Sequence, residues 1–230
     1  MSRTFAIARQ RVLDRIAAAA LRSGRDPAAV HLVAVSKTVG IDRVQQAVDA
    51  GQDIFGENYL QEAAGKIGAI GNRARWHFIG HLQSNKARLA AELFDVIETV
   101  DRFKIARLLN EHCQILDRSL DILVQVNVGE EPQKSGVLPD EAERLLEQLQ
   151  PFSRLRVMGL MTMPPYFDAP ETVRPFFRKL RVLSERFRER KLLGRHGSVE
   201  LSMGMSGDFE VAIEEGATLV RVGTALFGSR

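Results

Sequence analysis

Lys37 stands at the end of an almost wholly apolar run, residues 31–36. In apolar surroundings the ammonium form is disfavoured, and the neutral amine that results can attack an aldehyde. The plain alternative is a lysine that reaches out to solvent from a strand end. Two other segments suit an anion. Ser202-Met203-Gly204-Met205-Ser206-Gly207-Asp208 runs straight into a helical pattern. Its glycines permit close backbone approach, Ser206 is placed to cap, and the helix start offers N–H groups. Arg221-Val222-Gly223-Thr224 follows the next apolar run and would bring N–H and hydroxyl donors from another side. Asp208 would oppose a phosphate unless its side chain turns away to cap the helix, and a purely structural cap is the competing reading.

Other chemistries find little support. His77 and His81 are four apart but straddle a strand end without a helical carboxylate partner, so no metal site is expected. Neither a P-loop nor a G-x-S-x-G elbow occurs. The single cysteine, Cys113, excludes an internal disulfide framework and suits a reducing cytoplasm. It sits among Leu108, Leu109, Ile115 and Leu116 in a helical pattern and reads as a buried thiol. Glu130-Glu131 and Glu214-Glu215 read as solvated faces. Lysine plus arginine exceed aspartate plus glutamate by 32 − 29 = 3, spread along the chain, which gives no nucleic-acid footprint. No apolar run is long enough for a membrane span.

These residues need a frame that gathers them. Short apolar runs at 31–36, 53–56, 75–80, 95–100, 121–128, 155–163, 198–203 and 218–222 alternate with helical patterns near 41–50, 58–69, 84–93, 102–116, 139–149, 171–190 and 207–215. Runs apolar throughout suit a parallel sheet buried on both faces, and eight such alternations read as one (β/α)8 barrel over residues 1–230. A doubly wound open sheet is the alternative, but it would normally place a glycine-rich turn after the first strand, where Val35-Ser36-Lys37-Thr38 stands. The barrel reading leaves no room for a full helix after the eighth strand. Residues 2–22 are rich in arginine like a transit peptide, yet Phe5, Ala8, Val12, Ile16 and Ala19 recur at helical spacing. They read as an extra N-terminal helix that fills the gap in the outer ring. In such a barrel chemistry gathers at the C-terminal ends of the strands. Lys37, Glu57, Asn58, His81, Asn127, Lys134, Ser202, Ser206, Arg221, Gly223 and Thr224 all fall there.

The same residues lie in blocks that resemble a known family. AVSK (34–37), FGENYLQEA (55–63), WHFIGHLQSNK (76–86), VNVGEEPQKSG (126–136), GLMTM (159–163), LSMGMSGDFEVAI (201–213) and RVGTALFG (221–228) carry the likeness. Their order is similar to that of the pyridoxal phosphate homeostasis proteins, relatives of the N-terminal barrel of alanine racemase. The resemblance implies that Lys37 holds pyridoxal 5′-phosphate as a Schiff base. It implies that Ser206, Gly207, Gly223 and Thr224 hold the phosphate, with Arg221 near the pyridine nitrogen. It places Asn58, His81 and Met203 around the pocket, and matches Lys134 to a lysine that receives the cofactor in transit.

Three functions compete. A cofactor carrier would buffer pyridoxal phosphate and deliver it to apo-enzymes in the cytoplasm, as a monomer with no catalytic residue of its own. An amino-acid racemase or other pyridoxal-phosphate enzyme would need a second base, which in the related racemases comes from an appended β-domain for which this chain leaves no residues. A cofactor-free Schiff-base aldolase usually carries its lysine on strand six, where this chain has none. A cation at the pyridine nitrogen weakens the ring as an electron sink, so Arg221 favours the carrier, although racemases of the related fold also use an arginine.

Overall fold

The computed structural model describes residues 2–165 and 167–228. Eight parallel strands close into a barrel in sequence order: β1 (His31–Val35), β2 (Ile54–Glu57), β3 (Arg75–Phe78), β4 (Val96–Val100), β5 (Leu120–Gln125), β6 (Leu155–Met161), β7 (Glu200–Ser202) and β8 (Leu219–Val222). β8 returns to β1, with Leu32 opposite Val220 and Ala34 opposite Val222. Every expected strand is present. Most are shorter than expected, because a strand stops where its neighbour no longer offers backbone partners, while β2 is shifted on by one residue and β5 starts one residue earlier.

The helices are α1 (Ser2–Arg22), α2 (Ile41–Asp49), α3 (Leu60–Ile70), α4 (Ala87–Leu93), α5 (Phe103–Ile115), α6 (Ala142–Leu149), α7 (Arg174–Glu189), α8 (Phe209–Glu214) and α9 (Thr224–Phe227). α9 is a single turn that the sequence did not announce. α1 packs against α2, α8 and α9 and completes the ring, so the arginine-rich N-terminus is a docked helix. Phe5, Val12, Ile16 and Ala19 are buried, and Phe5 meets the Phe227 ring at 5.2 Å. Arg15 and Arg22 pair with Glu210 and Glu214 on α8.

Two apolar layers result. The larger lies between barrel and helices and includes Phe55, Trp76, Phe78, Cys113 and Met203. The smaller, Val33, Leu123, Met161 and Leu219, fills the lower barrel interior. Above it the interior is polar, and that change of character positions the site. Glu214-Glu215 is not a solvated face. Glu215 is buried, held at the α7–α8 seam by Arg174 (3.2 Å) and Arg178 (3.0 Å).

Candidate functional site

Alternation along β1 sends Val33 and Val35 inward and Ser36 outward, which returns Lys37 to the barrel mouth. Lys37 is half-buried there. The turn that carries it is built from beneath. Lys66 on α3, 2% exposed, donates at 2.6 Å to the Ser36 carbonyl, to Glu57 Oε1 and to Glu62 Oε1. Glu62 also accepts from the Thr38 backbone N–H, and Thr38 adopts a positive φ of 63°. Glu57 therefore belongs to the layer under α3 and not to the rim. Burial pushes its carboxyl up from the ordinary value, against the hydrogen bonds from Lys66 and Ser36.

The neighbouring strand ends complete the mouth. A Cβ on Gly223 would lie 3.4 Å from Val35, so the loop after β8 runs alongside the end of β1. Thr224 opens α9 from that loop and is exposed. Asn58, half-buried after β2, has a buried Oδ1 with no hydrogen-bond partner among the described residues. Gly80 admits no side chain, because a Cβ there would meet the Asn58 carbonyl at 2.4 Å. Beyond it His81 is exposed, and Ser135 Oγ lies 3.1 Å from its Nδ1. Lys134, in the loop after β5, pairs with Glu131 at 2.6 Å and donates to the Pro164 carbonyl at 2.9 Å.

After β7, Gly204 turns at φ 92°, with Ala212 Cβ 2.6 Å from where its own Cβ would sit. Only glycine lets α8 approach the strand end this closely. Asp208, not Ser206, is the N-cap residue of α8, and its carboxylate accepts from the Met205 N–H at 2.6 Å. Asp208 thus turns back into its own loop, leaving half-buried Ser206 and exposed Gly207 at the rim. Met203 is 0% exposed and belongs to the large apolar layer, so its side chain presents no surface to the mouth.

Below the mouth runs a file of hydrogen bonds. Arg221, 3% exposed, donates to Ser202 Oγ at 2.5 Å and to the Thr162 carbonyl at 2.8 Å. Ser202 Oγ lies 2.5 Å from Glu98 Oε2, and Glu98 Oε1 lies 2.6 Å from His77 Nδ1. β4 and β7 are not neighbours, so the Glu98–Ser202 bond crosses the barrel interior. Burial would raise the Glu98 carboxyl, but the His77 hydrogen bond and the charges of His77 and Arg221 outweigh it and hold it below its ordinary value. Burial pushes the Arg221 guanidinium down, opposed by Glu98 and Asp208.

Glu98 and Lys66 escaped the sequence reading. Each had a signal: a charge inside the otherwise apolar run of β4, and a lysine in register with Ala63 and Ile70 on the buried stripe of α3. His77 and His81 do not converge on a metal, and the described residues contain no cluster of three metal-ligating side chains.

Comparison with known proteins gives this mouth a lineage. Residues 8–230 match the family described as alanine racemase, N-terminal domain. The pyridoxal phosphate homeostasis protein of Aquifex aeolicus is 43% identical over 222 residues, covering 96% of each chain. The chain belongs to the pyridoxal phosphate homeostasis protein family. The Escherichia coli member is 44% identical over 227 residues, 95% of this chain and 94% of that one. The solved structure of PipY from Synechococcus elongatus with pyridoxal phosphate bound superposes with a TM-score of 0.81 at 37% identity, covering 94% of this chain and 100% of the other. The eight-stranded barrel with its preceding helix is the fold of this family.

Proposed function

We propose that this chain holds pyridoxal 5′-phosphate covalently on Lys37 and releases it again, buffering and delivering the cofactor rather than catalysing a reaction. The observation that carries the proposal is the arrangement at one mouth: a half-buried amine at the end of β1, the Gly223–Thr224 loop alongside it, and buried Arg221 on the adjoining strand. When bound, the cofactor supplies an aldehyde to which an amine adds reversibly. The residues present fit such a group. Ser206, Gly207, Gly223 and Thr224 offer hydroxyl and N–H donors for a phosphate, and the buried Asn58 Oδ1 has no hydrogen-bond partner among the described residues. Exposed His81 borders the entrance, and Met203 supports the wall from the apolar layer. Lys134 stands on the same rim as a second amine, where it would receive the cofactor in transit to apo-enzymes.

Arg221 favours holding over chemistry. Its cation beside the ring nitrogen disfavours ring protonation and so limits carbanion stabilisation. We read the protein as a monomer of the cytoplasm; none of its described helices is long and apolar enough to cross a membrane. The test is borohydride reduction of the protein with its cofactor, followed by mass spectrometry of the peptides. A pyridoxyl group is expected on Lys37 and is lost in Lys37→Ala. Label on another lysine, or none at all, overturns the proposal. Amino-acid turnover on the order of 1 per second or faster would replace the carrier with an enzyme.

A further inference from the structure

The proton positions in the file through the barrel follow from its members. Arginine only donates, so Ser202 Oγ must accept from Arg221. The one hydroxyl proton of Ser202 then points at Glu98 Oε2. Glu98, ionised, also accepts at Oε1, so His77 carries its proton on Nδ1. Every bond in the file thus has a fixed direction, and all of it ends on one carboxylate. The other charged group facing Arg221 is Asp208, from the loop before α8. The guanidinium is held by acceptors from two sides, Ser202 on β7 and Thr162 after β6. Its charge is balanced from β4, where Glu98 Oε2 lies 3.9 Å from Nη1.

We propose that Glu98 is a positioning residue for the cofactor ring, acting through Ser202 to fix the direction in which Arg221 offers its remaining N–H donors to the ring nitrogen. The proposal rests on the reading that Lys37 holds pyridoxal phosphate. A carboxylate in this place obliges Ser202 to turn its proton away from Arg221 and its lone pairs toward it. An amide would not. It would donate to Ser202 Oγ and compete with Arg221 for the same lone pairs, and the buried guanidinium would lose its nearest balancing charge. His77 holds the carboxylate from the far side, which keeps Glu98 from swinging toward Arg221 directly.

The discriminating measurement compares pyridoxal phosphate with its analogue bearing carbon in place of the ring nitrogen. A change in general electrostatics affects both ligands alike, whereas a donor aimed at the nitrogen affects only one. The wild type is expected to bind pyridoxal phosphate about tenfold more tightly than the analogue, the worth of one charged hydrogen bond. Ser202→Ala, which keeps the charge, and Glu98→Gln, which keeps the shape, should each bring that ratio close to unity, and the double variant should go no lower. In the apoprotein, nitrogen NMR should find His77 protonated on Nδ1 in the wild type, in Ser202→Ala and in Glu98→Gln, where the amide oxygen takes the place of Oε1 and the NH2 group faces Ser202. A ratio unchanged in both variants, with Lys37 still labelled by borohydride, overturns the inference while leaving the carrier reading intact. So does a wild-type His77 protonated on Nε2 alone. If one variant fails to fold, the ratio in the other decides. Absence of label on wild-type Lys37 removes the carrier reading, and this inference falls with it.

Discussion

Lys66 holds an ammonium almost out of reach of water, satisfied by three oxygens of which two belong to carboxylates. Replacing it with methionine would leave Glu57 buried beside an unmet carbonyl, a loss of about 3–5 kcal/mol. Urea unfolding checks this, and Lys66→Met combined with Glu57→Gln should lose less than Lys66→Met alone. Because Glu62 also holds the Thr38 N–H, the same substitution should loosen the turn that presents Lys37. Cofactor exchange should then be faster even where the variant still folds. At this scale the sequence showed the mouth and hid its supports. Lys37, Arg221 and the Gly223–Thr224 pair sit at strand ends, where position alone suggests a role. Glu98 gains its meaning from Ser202, 104 residues away, and no local pattern records such a pairing.

Helices and strands were legible because their apolar spacing is strong, and their ends were less so because caps are chosen by local competition. Ser206 and Asp208 both suit a cap; Asp208 takes the N-cap position, but its carboxylate turns back to the Met205 N–H and bonds no amide of the helix. α9 went unseen because one turn carries no period. The close approach of α8 to β7 depends on Gly204, so Gly204→Ala is expected to cost about 1–3 kcal/mol in backbone strain, and more from the contact with Ala212. Thermal unfolding measures that cost, and weakened cofactor binding should accompany it as the Ser206–Gly207 loop shifts.

The seam between α7 and α8 yields a pH prediction. Burial would raise the Glu215 carboxyl, but hydrogen bonds from Arg178 and Arg174 outweigh it and hold it below its ordinary value. A carboxyl depressed in the folded state adds stability above the unfolded value of about 4.3, and that stability is lost as pH falls through the lower folded value. Glu215→Gln should therefore be less stable at neutral pH and show a flatter loss on acidification, as denaturant titrations at several pH values would reveal.

The whole molecule is one closed sheet whose ring of helices needs α1 to be complete. Removing residues 1–22 would expose α8 and α9 and forfeit about 1.5–3 kcal/mol for each large side chain such as Phe5, Val12 and Ile16. The truncated chain should lose its cooperative thermal transition by circular dichroism. A truncated chain that folds like the full one would make α1 an accessory.

Closure of β8 onto β1 also sets an order of events during synthesis. Lys37 leaves the ribosome early, but the strand that brings Arg221 and the Gly223–Thr224 loop beside it is made nearly two hundred residues later. In the carrier proposed above, a stalled or prematurely terminated product would have Lys37 without the loops proposed to take the phosphate. Such fragments would meet the aldehyde only as any surface lysine does, so retention of the cofactor doubles as a sign that translation ran past the eighth strand.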